Sequence, residues 1–283
     1  MRTDSVLCLN PQGVHRMVYH EWGSADNSRV LLCVHGLARN SRDFDDLARA
    51  LSRDYRVICP DIVGRGHSDW LPNGSGYEIS QYLQDLMVLV GRLNVEQVDW
   101  VGTSMGGILG MALASMANSP VRALVLNDIG AFIPSRSLKR ITGYLGDFRF
   151  ESLTEVEQFM RRNYLALRNL EDHQWRHLAR HGSREQPDGS LALHYDPAIS
   201  AATAAAADQD IDLWPVWRSV RCPQALLWGD RSDVLDADTV AQMQRENPEL
   251  EVLQLCGIEH APSLMEPEHI QWVQDWLRRH RQP

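Results

Sequence analysis

The chain has no excess of basic charge. Among its 283 residues, 28 Lys and Arg stand against 37 Asp and Glu, a formal net charge of −9. That balance disfavours nucleic acid and anionic membrane surfaces as partners, since both draw basic patches. A cysteine framework is missing as well. Cys8, Cys33, Cys59, Cys222 and Cys256 are odd in number and spaced unlike any metal or redox motif. Cys33 and Cys59 lie in apolar runs, where Cys behaves as a small buried hydrophobe, which suits a reducing compartment. No apolar run approaches the length of a membrane span, and residues 1–23 show no basic-then-apolar leader pattern. The expectation is a cytoplasmic protein. Internal repeats and low-complexity tracts are also lacking.

What is present is a rhythm. Hydrophobic residues at 44% and charged residues at 23% allow an ordinary globular core. Residues 14–22 have the β-rich look of an edge or antiparallel strand, and residues 30–34 form a continuous apolar run, as in a strand buried on both faces. Residues 43–51 switch to helical spacing, and 55–59 return to strand. A helix is expected over 79–93 with Ser80 as its N-cap, then a strand at 98–101, a helix at 105–116 and a strand at 121–126. Such alternation calls for a parallel sheet wrapped by helices. From about 134 to 213 it stops: helical segments follow one another and no buried strand is evident. Residues 224–228 and 251–255 then resume as strands, each followed by a helix. The expected organisation is a core over 1–133, a helical cap over 134–213 and the rest of the core over 214–283.

The chemical signal is Gly102-Thr103-Ser104-Met105-Gly106, set between a strand and a helix. A Ser on so sharp a turn is held strained with its hydroxyl exposed, so its neighbours must be small. Backbone N–H groups at the helix start are then free to face an anion. A second element, His35-Gly36-Leu37, directly follows the buried strand at 30–34. There the Leu37 N–H, together with that of Met105, makes a two-donor oxyanion hole, while His35 itself reads as a structural histidine. Of 11 histidines, His260 has the position for a base, in the loop after the last strand. The acid lies between Ser and His in chain order. Asp233, in Trp228-Gly229-Asp230-Arg231-Ser232-Asp233, is the expected residue, with Asp128 and Asp230 as alternatives.

Placed together, these residues resemble the α/β-hydrolase superfamily over nearly the whole chain, with the nearest likeness to capped bacterial esterases and C–C bond (meta-cleavage product) hydrolases. The carrying motifs are His35-Gly36 with Arg39-Asn40, Asp61-Ile62-Val63-Gly64-Arg65-Gly66-His67-Ser68, the Ser104 pentapeptide, Leu126-Asn127-Asp128 and Gly257-Ile258-Glu259-His260-Ala261-Pro262. The resemblance implies a mostly parallel eight-stranded sheet with a helical cap inserted after strand six. Many relatives carry Gly-x-x-Asp in the acid loop; here the fourth position is Ser232, and Asp233 follows it.

The implied chemistry is hydrolysis of an ester of small to medium acyl chain by Ser104, His260 and Asp233, with no metal or organic cofactor required. Arg39, Phe132 and Trp228 are candidate substrate contacts. Tyr144, Phe148, Phe159, Tyr164 and Trp175 are candidate apolar lining from the cap. A second reading is cleavage of a C–C bond or an enol-lactone in an anionic substrate, for which Arg39, Arg136, Lys139 and Arg140 offer positive charge. A third is a non-catalytic ligand receptor on the same fold. The partner in each case is a small molecule, and the oligomeric state is open.

Overall fold

A computed structural model describes residues 1–280 of the chain. Its centre is an eight-stranded sheet, built from β1 (Arg2–Asn10), β2 (Gly13–Trp22), β3 (Val30–Val34), β4 (Arg56–Pro60), β5 (Val98–Thr103), β6 (Val121–Asn127), β7 (Gln224–Gly229) and β8 (Glu251–Leu255). The strands lie in the order β1-β2-β4-β3-β5-β6-β7-β8. The β1–β2 hairpin joins antiparallel, and the strands from β4 to β8 are parallel. Strand β3 is buried at all five positions, because both faces are covered.

Helices α1 (Asp45–Leu51), α2 (Ile79–Leu93) and α3 (Met105–Ala114) fill the first crossovers. One face of the sheet packs Phe44, Leu47 and Leu51 against Trp276, whereas the other holds Leu86, Leu89, Trp100 and Leu109. The register brings Val34 beside Gly102, Gly102 beside Leu126, and Asn127 beside Leu227. The carboxyl ends of β3, β5, β6 and β7 therefore finish side by side, where ligands of open α/β sheets bind.

Three readings are refined or corrected. Strand β2 is antiparallel to both neighbours, one of the two alternatives expected, and is not an edge, since β1 pairs along its whole length; the polar β1, with Leu7 and Leu9 exposed, gives little burial signal. Glu78 rather than Ser80 precedes α2, and the Ser80 hydroxyl instead bonds the Glu78 carboxylate. The stretch after β6 is not purely helical. It holds α4 (Ser135–Thr142), α5 (Leu153–Asn163), α6 (Asp172–His181) and α7 (Ala198–Ala206), but also a three-stranded antiparallel sheet of Arg149–Phe150, Leu191–Leu193 and Ser183–Glu185. Strands of two or three residues are too short to show a period.

The chain leaves the core through Phe132–Ile133 and returns through Ile211–Asp212, and these two segments pair with each other. Among the described residues, no helix is long and apolar enough to cross a membrane.

Candidate active site

Ser104 sits between β5 and α3 with φ 52° and ψ −116°, a conformation L-residues rarely adopt. Its glycine neighbours are a steric requirement. A Cβ on Gly106 would overlap the Val34 carbonyl oxygen, and one on Gly102 would overlap the Gly106 carbonyl. The Ser104 N–H donates to Asn127 O at 3.0 Å, which ties the turn to the end of β6.

His260 bridges two residues. Its Nε2 lies 2.9 Å from Ser104 Oγ, and its Nδ1 lies 2.7 Å from Asp128 Oδ2. With the proton on Nδ1, the ring donates to Asp128 and accepts from the Ser104 hydroxyl. The loop is held by Asn127, whose amide donates to Pro262 O at 2.8 Å.

Asp128, not Asp233, reaches the histidine. Asp128 turns sharply off β6 with φ 55°, which aims its fully buried carboxylate back across the sheet end. Gly229 N–H donates to its Oδ1 at 2.8 Å, and Ser232 Oγ donates to its Oδ2 at 2.6 Å. The expectation for Asp233 is thus corrected. Asp233 sits one residue past Ser232 and faces away, where both its oxygens accept from Arg140, at 2.5 and 2.8 Å, and its carbonyl accepts from Ser137. It fastens α4 to the core. Asp230 accepts from Gly257 N–H at 2.6 Å and shapes its own loop.

Leu37 follows β3 at the edge of the same cavity as Ser104. Among the described residues, neither the Leu37 nor the Met105 N–H donates to a protein acceptor. His35 is a structural residue: its Nδ1 donates to Gly36 O at 2.7 Å and its Nε2 accepts from Ile62 N–H at 3.0 Å. Burial pushes its pKa down to about 4, so it is neutral.

The cavity over Ser104 has room for about 120 Å³ and is largely apolar, with Phe44, Ile141, Tyr144, Tyr164, Leu167 and Leu178 among its walls. A cavity of ~150 Å³ holds a benzene-sized group. Phe132 and Trp228 do not line it. Phe132 lies in the paired segment where the insertion begins, and the Trp228 indole donates to Leu235 O. Phe148, Phe159 and Trp175 also stay outside the cavity wall; Phe148 and Phe159 pack on each other within the insertion.

Arg39 does line the cavity, but its Nε and Nη2 both donate to the Asp43 carboxylate, at 2.8 and 2.6 Å. Burial works against its charge, and Asp43 with Tyr164 more than offsets this, so its pKa lies above the ordinary value. Lys139 pairs with Asp208, Arg140 with Asp233, and Arg136 is exposed away from the cavity. The residue that sequence reasoning passed over is Ser232, readable only as a gap where relatives carry Asp.

Comparison with known proteins agrees with this architecture. The family described as alpha/beta hydrolase fold matches residues 29–266. The chain is 41% identical over 278 residues to a 3-hydroxybutyrate-oligomer hydrolase of Cupriavidus necator, covering 95% of each chain. It is 29% identical over 242 residues to a 2-(acetamidomethylene)succinate hydrolase of Mesorhizobium japonicum, covering 84% of each. A crystal structure from Rickettsia typhi superposes with a TM-score of 0.92 at 31% identity, over 99% of both chains. On the strength of the parallel sheet, the strained turn at its centre and these matches, the chain belongs to the α/β-hydrolase fold family.

Proposed function

We propose that the protein is a serine hydrolase of carboxylic esters with small acyl groups, using Ser104 as nucleophile, His260 as general base and Asp128 as the orienting acid. The observation that carries this is His260 bridging Ser104 and Asp128 at 2.9 and 2.7 Å. Ser104 Oγ attacks the ester carbonyl while His260 Nε2 takes its proton, and the Leu37 and Met105 N–H groups receive the oxyanion. His260 returns the proton to the departing alcohol. Water, deprotonated by the same base, then opens the acyl-enzyme and regenerates the serine. No step draws on a metal or organic cofactor.

Residues 134–213 act as the cap in this reading, because Ile141, Tyr144, Tyr164 and Leu178 close the cavity from that side. The C. necator relative supports short hydroxyalkanoate esters, such as a 3-hydroxybutyrate dimer, as the substrate class, and the small cavity suits a single hydroxybutyryl group of such an ester. The neutralised Arg39 speaks against a dianionic substrate of the kind named for the M. japonicum relative. Cytoplasmic location fits the same reading, in which the buried Cys33 and Cys59 stay thiols.

The test is turnover of p-nitrophenyl esters from acetate to decanoate and of 3-hydroxybutyrate dimer, by wild type and Ser104→Ala. Expected is a short-chain optimum, with the substitution costing on the order of 10⁶ in kcat. Turnover by wild type no faster than by Ser104→Ala would sink the hydrolase reading. Activity confined to carboxylate-bearing dienoates would replace ester cleavage by the C–C reading.

A further inference from the structure

The small antiparallel sheet of the insertion carries an arrangement that the Ser104 site does not use. Its middle strand sets Ala192 opposite Arg149 on one side and opposite Arg184 on the other. Residues directly opposite in such a ladder project to one face, so both arginines share the face of Ala192, with their backbones about 10 Å apart. Ala192 is too short to fill the space between them. The indole of Trp70, from the core loop after β4, covers the Arg184 guanidinium, its ring centre 3.8 Å from the central carbon. With Tyr195 and Pro197 these side chains line a cavity that has room for about 140 Å³. It shares no lining residue with the cavity over Ser104.

The charge in this cavity is not balanced from within. Among the described residues, Arg184 has no ion-pair partner, and its buried Nε has no hydrogen-bond acceptor. Burial and then Arg149 push its pKa below the ordinary value, with Asp196 and Asp147 acting against them. Both aspartates are engaged elsewhere. Asp196 accepts from the Tyr77 hydroxyl at 2.5 Å and from Ala198 N–H at 2.9 Å, and Asp147 pairs with Arg149 Nη2 at 3.1 Å. A guanidinium N–H closed off from water without an acceptor is costly, and an anion bridging the two arginines removes that cost. The rest of the chain, at a formal net charge of −9, does not attract anions in general.

We propose that this cavity is a binding site for a small oxyanion, a carboxylate or phosphate group held between the Arg149 and Arg184 guanidiniums beside the Trp70 ring. Arginine forks take such groups through paired N–H···O bonds. The volume suits a ligand of a few heavy atoms. Trp70 belongs to the core and both arginines to the insertion, so a bound anion fastens one to the other and stabilises the folded protein. The inference stands apart from the ester-hydrolase reading, because the two sites have no residue in common.

The experiment titrates wild type, Arg184→Gln and Arg149→Gln, as full chains in low-chloride buffer, with sodium phosphate and separately with sodium 3-hydroxybutyrate. Heat of binding and thermal midpoint are read. Expected is one anion bound per chain, a midpoint that rises with its concentration, and affinity weaker by about ten-fold or more in each variant. Saturation by phosphate alone assigns the site to phosphoryl groups, and saturation by 3-hydroxybutyrate alone assigns it to carboxylates. Arg149 is exposed, so Arg149→Gln decides if Arg184→Gln does not fold. No binding of either anion up to roughly 10 mM overturns the proposal. Equal affinity in wild type and variants overturns it too, and places 3-hydroxybutyrate in the cavity over Ser104 instead. Ester turnover by the same wild-type sample reads the Ser104 site separately, so either reading can fail alone.

Discussion

Replacing Asp128 by Asn keeps the shape of the side chain and removes its charge, and the geometry dictates how the site responds. Gly229 N–H donates to Oδ1, so the Asn oxygen stays on that side and its NH₂ takes the place of Oδ2. Oδ2 is the atom that accepts from His260 Nδ1. An NH₂ there can only donate, so Nδ1 must become an acceptor and the ring proton moves to Nε2. Nε2 then faces the Ser104 hydroxyl with a proton of its own and cannot take another. The expected cost is about 10⁴ in kcat, as in other serine triads whose acid is amidated, or about 5.5 kcal/mol of barrier. KM should hold, because Asp128 does not line the cavity. The paired control is Asp233→Asn. It loses only the half-exposed Arg140 pair, worth at most about 1 kcal/mol of stability, and keeps kcat within about two-fold of wild type. Steady-state kinetics on one ester, with thermal midpoints to confirm folding, measures both. A collapse in Asp233→Asn beside near-normal kcat in Asp128→Asn would refute the reasoning.

Two further outcomes follow from the same core. Gly106→Ala should lower stability by more than about 2 kcal/mol and reduce kcat, because the new methyl would overlap the Val34 carbonyl and push α3 off β3; a thermal midpoint equal to wild type counts against this. The protein should also weaken in mild acid. His35 is held neutral by burial, with its pKa pushed down to about 4, and His181 is likewise lowered to about 4 by burial and Arg42. The unfolded chain takes up these protons first, so stability present above about pH 6.5 is lost as the pH falls toward about 4, by roughly 3 kcal/mol for His35. Urea unfolding across that window, with a midpoint that stays flat, would contradict it.

How far the sequence reached differs from residue to residue. The Ser104 turn was legible because its constraints are local: two glycines and a strand–helix boundary within five residues. That His260 lies near Ser104 could be expected from its place after the last strand. Which aspartate stands beside the ring could not, for three aspartates stand in loops at the same end of the sheet. Choosing among them requires the direction of a side chain, and that direction comes from the left-handed backbone of Asp128 and from Ser232 reaching across to it. Composition cannot show either. Arg39 carried the right location but the wrong chemistry, because its partner Asp43 neutralises it.

The paired segments at Phe132–Ile133 and Ile211–Asp212 have a consequence for how such a protein diversifies. Departure and return occur at one narrow stem, closed further by Leu213 N–H donating to Ala131 O at 2.8 Å. The ends of β3, β5, β6 and β7 are all built by residues outside the stretch between those two strands. Ser104, Asp128 and His260 all lie outside the stem, whereas Ile141, Tyr144, Tyr164 and Leu178 lie within it. One part of the cavity wall is therefore written on a stretch of the gene separate from the residues that meet at Ser104, while Phe44 and Met265 complete the wall from the core.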